Sequence, residues 1–157
     1  MSKWLKLIAC ILICQSAGIL GSIFTAPSIA VWYVGLAKPW FTPPNWLFGP
    51  VWIILYMLMG ISLYLIISNG LKKKETRQSL AIFGVQLALN TLWSIVFFGL
   101  KSKFYGFVNI LALWASILFM ILSFYRISKK AALLLVPYIV WVTIATLLNY
   151  YVWILNP

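Results

Sequence analysis

Charge in this chain is confined to short connectors between five long apolar runs, and that pattern constrains the fold more than any motif does. The runs are about Trp4–Phe24, Trp46–Ser68, Ser79–Leu100, Tyr105–Tyr125 and Ala132–Leu155. Each holds about 20 residues, enough for an α-helix rising 1.5 Å per residue to cross a roughly 30 Å hydrocarbon core. Lipid offers no partner for a free N–H or C=O, so each run is expected to be helical. Only 8% of the 157 residues are charged, against about 25% in a soluble domain. The expectation is an all-α integral membrane protein, one five-helix transmembrane domain over residues 1–157. The first run continues well beyond Lys6, longer than the apolar core of a signal peptide, and reads as an uncleaved span.

The basic residues alternate with the spans. Lys3, Lys6, Lys72, Lys73, Lys74, Arg77, Arg126, Lys129 and Lys130 fall on one side, and Lys38, Lys101 and Lys103 on the other. The more basic side is expected to be the inner one, which puts the N-terminus inside and the C-terminus outside. A net charge of +11 divided among connectors in this way argues against a nucleic-acid face, which needs its charge gathered on one surface. Trp4, Trp46 and Trp153 lie near span ends, where interfacial aromatics collect.

The chain has no histidine and one acid, Glu75. Ser/His/Asp relays, Cys/His dyads and carboxylate pairs are therefore excluded, as is haem held by an axial histidine. Cys10 and Cys14 lie one turn apart with no further ligands nearby, and read as small apolar helix residues rather than a metal pair. No metal and no required cofactor are expected.

One connector is long, about residues 25–45, and it leads into the densest aromatic stretch. Lys38–Trp52 holds Trp40, Trp46 and Trp52 with Pro39, Pro43, Pro44 and Pro50. Prolines remove backbone donors and fix φ, so the first part of this stretch is expected to be a stiff loop. Trp40, Pro43 and Pro44 are the candidate lid. Within the spans, polar residues at mid-depth carry the information. Gln86, Asn90, Trp93 and Phe97 recur at helical spacing on one stripe, with Ala81, Gly84 and Ala88 on roughly the opposite side. The small face allows close approach of another helix, in the same chain or in a second copy. The second span aligns Trp52, Tyr56 and Met59. The fifth aligns Tyr138, Trp141, Ala145 and Leu148, with Asn149 at the edge. The first offers Gln15, Gly18 and Ser22, and the fourth Asn109, Ala112, Ser116 and Ser123. Aromatic walls with a few amides and no charge suit a flat, largely apolar ring ligand between the second and fifth spans, with Trp52 facing Trp141. The amides could orient such a ligand or only bridge helices.

Three separated stretches, WFTPPNWLFGPVWIILYMLMG from Trp40 to Gly60, QLALN with Trp93 and Gly99 following, and PYIVWVTIATLLNYYVW from Pro137 to Trp153, resemble the tryptophan-rich sensory protein and translocator protein family, also called the peripheral benzodiazepine receptor family. The resemblance runs from the first span to the last. It implies a five-helix protein of the cell membrane in a bacterial-type member, a homodimer, and binding of porphyrins such as protoporphyrin IX and of isoquinoline carboxamide or benzodiazepine-type ligands. Carried over by motif, the ligand residues would be Trp52, Tyr56, Gln86, Asn90, Trp93, Trp141, Ala145 and Leu148, and Ala81, Gly84 and Ala88 the dimer contact. The resemblance also implies roles in tetrapyrrole sensing or transport, or light-dependent breakdown of bound porphyrin. In that last case the porphyrin is the substrate and Trp52 and Trp141 are the indoles that react. Transport without chemistry is the alternative. The stretch after Tyr150 lacks the basic residue of the eukaryotic sterol motif, so sterol binding does not carry over to that position.

Overall fold

The computed structural model describes all residues, 1–157. Its helices are α1 (Lys3–Val31), α2 (Asn45–Ser68), α3 (Lys74–Ser94), α4 (Lys103–Ile127), α5 (Lys129–Leu134) and α6 (Val136–Leu155). Five membrane-spanning units result, because α3 runs on through a wide turn at Ile95–Gly99 and α5 with α6 makes the fifth.

The first helix is longer than its apolar run. It continues past Phe24 and through Pro27 to Val31, leaving residues 32–44 as the connector. Pro27 brings no N–H to the Ile23 carbonyl, a local penalty. Tertiary contacts offset it. The Ser28 hydroxyl donates to the Phe98 carbonyl at 2.8 Å, and Trp32 meets Phe97 and Phe98 edge-on at 5.3 and 6.4 Å. The third span likewise starts five residues before the expected Ser79, because its polar first turn, with Glu75 near the positive end of the helix dipole, lies ahead of the apolar zone.

Two breaks shape the bundle. At Ile95–Gly99 the helix widens to a π turn, with the Leu100 N–H donating to the Ile95 carbonyl at 2.8 Å. The extra residue lets adjacent Phe97 and Phe98 both face the core. In the fifth span Pro137 supplies no donor and disfavours helix at the residue before it, so the helix restarts after Leu135. Gly70, at φ +109°, ends α2 in a conformation that only glycine adopts without strain.

Around the bundle α1 packs on α2 and α3, α4 packs on α3, α5 and α6, and α5 closes the ring against α2. The core centres on α4, where Leu113, Ile117, Met120 and Phe124 are fully buried. The closest helix approach is at Gly60, where a β-carbon would lie 2.5 Å from the Ile11 Cα. Large apolar side chains such as Leu12, Ile23 and Phe119 cover the outside, as a lipid solvent requires.

The connector is tied down rather than loose. Asn156 pairs with the backbone of Ala37 in both directions, accepting from its N–H and donating to its carbonyl, each at 2.9 Å. The Lys38 ammonium donates to the carbonyls of Tyr33 and Leu36 at 2.8 Å and lies 4.8 Å from the Tyr33 ring centre. Phe41 meets Tyr151 edge-on at 5.7 Å. Losing the Asn156 pair removes two hydrogen bonds at an exposed site, a cost of about 1 kcal/mol. Asn156→Ala is therefore expected to change the melting temperature by only a few degrees, while chymotrypsin cleaves after Trp40 or Phe41 several-fold faster. Unchanged cleavage would show that the pair does not hold the connector.

Candidate functional site

The main cavity opens where α1 and α2 diverge, and it follows from small residues. Gly18, Ser22 and Ala26 recur every four residues along α1, with Gly49 across from them on α2, so neither helix fills the gap. A β-carbon on Gly18 would lie 2.4 Å from the Tyr56 ring, so the ring lies against bare backbone there. The volume is about 350 Å³, at the small end of the roughly 300–1,000 Å³ range for ligand sites. No charged side chain lines it. Gln15 closes one end by donating to the Ile53 carbonyl at 3.0 Å.

The far wall is aromatic. Trp52 stacks on Tyr56 with centres 5.6 Å apart and planes at 29°. It lies 6.2 Å from Trp93, tilted by 34°. Trp93 in turn stacks on Phe97 at 5.7 Å with planes only 9° apart. These rings hold one another in register, each pair contributing about 0.5–1.5 kcal/mol beyond area burial. Tyr33 and Phe48 complete the connector end.

Behind that wall runs a buried polar chain. The Tyr56 hydroxyl donates to the Asn90 carbonyl oxygen. The Asn90 amide donates to the Tyr138 hydroxyl at 2.7 Å, and that hydroxyl donates to Gln86 at 2.9 Å. The Trp93 indole donates to Asn149 at 3.1 Å. Asn90 thus joins α2, α3 and α6 in one network. Three buried groups have no hydrogen-bond partner: the Tyr33 hydroxyl and the Trp141 indole N–H at this end of the bundle, and the Thr76 hydroxyl in the first turn of α3. Each orphan costs about 1–3 kcal/mol. Burial also pushes the Tyr33 hydroxyl pKa up to about 12, and desolvation lowers that of Lys38 beside it.

Of the eight ligand residues expected from the sequence, Trp52, Tyr56, Asn90 and Trp93 line this cavity. Gln86 is fully buried one layer behind it, spent on Tyr138. Trp141, Ala145 and Leu148 do not line it. Ala145 and Leu148 are buried and Trp141 half-buried, with rings from α2 in front of the stripe. Phe48, not Trp52, meets Trp141, edge-on at 5.8 Å, and Trp52 meets Tyr138 at 6.3 Å. Trp141 instead borders a shallow apolar groove with Val51, Ile54 and Leu58. The two indoles expected to react with bound porphyrin, Trp52 and Trp141, therefore stand in different places. Trp40 is 95% exposed, and neither it nor Pro43 or Pro44 borders the cavity. The connector contributes Tyr33 instead.

Sequence reading picked out Gln15, Gly18 and Ser22 of the α1 wall but missed Ala26, Tyr33, Phe48 and Phe98. The i, i+4, i+8 spacing of Gly18, Ser22 and Ala26 was the available signal. On the opposite flank of α3, Ala81, Gly84 and Ala88 are exposed, and a β-carbon on Gly84 would meet nothing within 4 Å.

Comparison with known proteins extends over nearly the whole chain. The profile of the TspO/MBR family matches residues 10–154. The chain is 48% identical over 152 residues to the tryptophan-rich protein TspO of Archaeoglobus fulgidus, covering 97% of each chain. It is 40% identical to protein CrtK of Rhodobacter capsulatus, covering 92% of this chain and 88% of that one. It is 38% identical to the translocator protein of Homo sapiens, covering 85% and 79%.

Proposed function

The chain belongs to the TspO/MBR family, and on that premise we propose that it is a membrane receptor for flat, largely apolar ring compounds, protoporphyrin IX and related tetrapyrroles among them. The observation that carries the proposal is the uncharged cavity against the stacked wall of Trp52, Tyr56 and Trp93. A wall of stacked and tilted rings favours an aromatic ligand over an acyl chain of equal area, because quadrupoles add to apolar burial. The missing charge disfavours ions and small polar solutes. Isoquinoline carboxamide and benzodiazepine-type compounds, with two or three fused rings, fit the same chemistry. The protein senses or hands on such a ligand from the bilayer, with its N-terminus on the inner side as the lysine distribution argues.

Tryptophan-fluorescence titration of the protein in nanodiscs with protoporphyrin IX tests this. Saturable quenching is expected, weakened about tenfold or more by Trp52→Ala, since a lost stacking pair and its apolar area together exceed the 1.4 kcal/mol that makes a factor of ten. Trp4→Ala, on the lipid-facing surface, serves as control and is expected to bind like the parent. Equal affinity in Trp52→Ala and the parent would remove the cavity from the account.

The open small-residue flank of α3 supports a homodimer through Ala81, Gly84 and Ala88. Gly84→Leu is expected to shift the population to monomer in sedimentation or cross-linking, with the melting temperature of the monomer nearly unchanged. A dimer that survives Gly84→Leu would place the contact elsewhere.

A further inference from the structure

A hydroxyl in a membrane helix finds its nearest acceptor in a carbonyl three or four residues back along its own helix. Ser22 and Thr25 on α1 donate in this way, to the Ile19 and Gly21 carbonyls at 2.7 and 3.1 Å. Ser116 and Thr143 do the same elsewhere in the bundle. Ser94 does not. Its side chain makes no hydrogen bond, although the residue is only 8% exposed. It turns toward α1, where a β-carbon on Gly21 would lie 2.9 Å from its hydroxyl oxygen. Five hydroxyls line the cavity. Those of Ser22, Thr25 and Tyr56 already donate within the protein, and that of Tyr33 is itself fully buried. Ser94 is the one left with a free hydrogen and access to the cavity. It is also the last residue of α3 before the π turn at Ile95–Gly99, a kind of helix break that is frequent at functional sites.

We propose that Ser94 is a specificity-determining residue of the cavity: its hydroxyl donates to a neutral carbonyl on the ring ligand, an amide or a ring ketone, and fixes which way that ligand lies between α1 and the ring wall. A hydroxyl can donate or accept. Acceptors are already present on α1, because Ser22 and Thr25 keep oxygen lone pairs after donating. The free hydrogen is at Ser94, so an acceptor on the ligand is the group that matches it. Neutrality follows from the surroundings. No charged side chain lines the cavity, and a single hydroxyl leaves a buried carboxylate uncompensated while it satisfies a carbonyl. Gly21 gives the Ser94 side chain its room, since any side chain there would press on the hydroxyl. This inference rests on the proposed receptor function and names the polar group that its ligand carries.

The test compares 9-fluorenone with fluorene, the same flat tricyclic frame with and without a carbonyl. Tryptophan quenching is read in nanodiscs at equal ligand-to-lipid ratios. The parent is expected to bind the ketone about fivefold more tightly, the scale of one neutral hydrogen bond. In Ser94→Ala that preference is expected to fall to within about twofold, through weaker binding of the ketone. Gly21→Ala is the second variant should Ser94→Ala fold poorly. Its methyl would lie 2.9 Å from the hydroxyl oxygen, so Ser94 must turn away, and the same loss of preference is expected. Melting curves verify each protein. Infrared spectra supply a readout that a purely structural role would not move. The carbonyl stretch of bound fluorenone is expected at lower wavenumber in the parent than in Ser94→Ala. Equal affinity of the parent for the two rings, a preference that survives Ser94→Ala, or the same carbonyl stretch in both proteins would each overturn the role of Ser94 while leaving the receptor reading in place. So would fluorenone that fails to saturate a parent which binds protoporphyrin IX. A parent that binds neither the tricycles nor protoporphyrin IX would overturn the receptor reading as well.

Discussion

Gly60→Leu is expected to destabilise the protein by about 3 kcal/mol or more, the upper end of overpacking costs in a well-packed interior. The reason is the atom it meets. A β-carbon at Gly60 would lie 2.5 Å from the Cα of Ile11 and 2.9 Å from its backbone nitrogen. A flexible side chain can turn away from such a clash, but helix backbone cannot, so α1 and α2 must separate. That separation also loosens the packing around Cys10 and Cys14, which are buried in the same core. At about 2–4 °C per kcal/mol for a chain of this size, thermal unfolding in detergent should fall by roughly 6–12 °C. Gly35→Leu is the control, because nothing stands within 4 Å of that position. A Gly60→Leu protein that melts with the parent would show that the two helices do not meet there.

Asn90→Leu is expected to cost about 2–4 kcal/mol and to weaken ligand binding. Leucine has the branched shape of asparagine and leaves no cavity, so the effect reports lost hydrogen bonds together with some overpacking. The substitution strands the Tyr56 hydroxyl, which donates only to Asn90, at about 1–3 kcal/mol. It also removes the bond from Asn90 to Tyr138, worth about 0.5–1.5 kcal/mol, while Tyr138 keeps Gln86 as acceptor. Hydrogen bonds between membrane helices average only about 0.6 kcal/mol, because polar groups in the unfolded state also find partners. Here the larger figure applies, since Tyr56, Gln86, Asn90 and Tyr138 are all buried and no replacement partner is within reach. Adding Tyr56→Phe to Asn90→Leu should restore about 1 kcal/mol or more by deleting the stranded hydroxyl, and denaturant titration of the two variants measures it. No recovery in the double variant would mean that the stranded hydroxyl is not the source of the loss. Binding should weaken because the Tyr56 ring, freed from Asn90, no longer holds Trp52 in its stack.

The residues of the candidate site were legible to different degrees. Trp52, Tyr56, Asn90 and Trp93 could be read from helical spacing because each combines a ring or amide with mid-span depth. Asn90, Gln86 and Asn149 all form hydrogen bonds with side chains of other helices, and Asn90 also lines the cavity. Trp141, Ala145 and Leu148 share a stripe with Tyr138, and that stripe is buried except at half-buried Trp141. Spacing, however, shows which side of a helix is buried, not whether a void or another ring lies opposite. Here Phe48 lies opposite Trp141. Trp40 stands among prolines in a connector that Asn156 ties down at Ala37, and Trp40 itself is exposed while Tyr33 of the same connector lines the cavity.

By itself the sequence determined the solvent, the number of spans and the family. Hydropathy sums over 20 or so residues, so it survives errors of several positions at each helix end. Helix ends were less accessible. Pro27 and the polar start of α3 both obey tertiary contacts or dipole terms that an apolar count does not register. The position of the cavity was decided by the tertiary structure alone. A cavity is what remains when two surfaces fail to fill the space between them, and it depends on small differences between large neighbours. Gly18 against Tyr56, and Gly49 against empty space, have meaning only once α1 and α2 stand side by side.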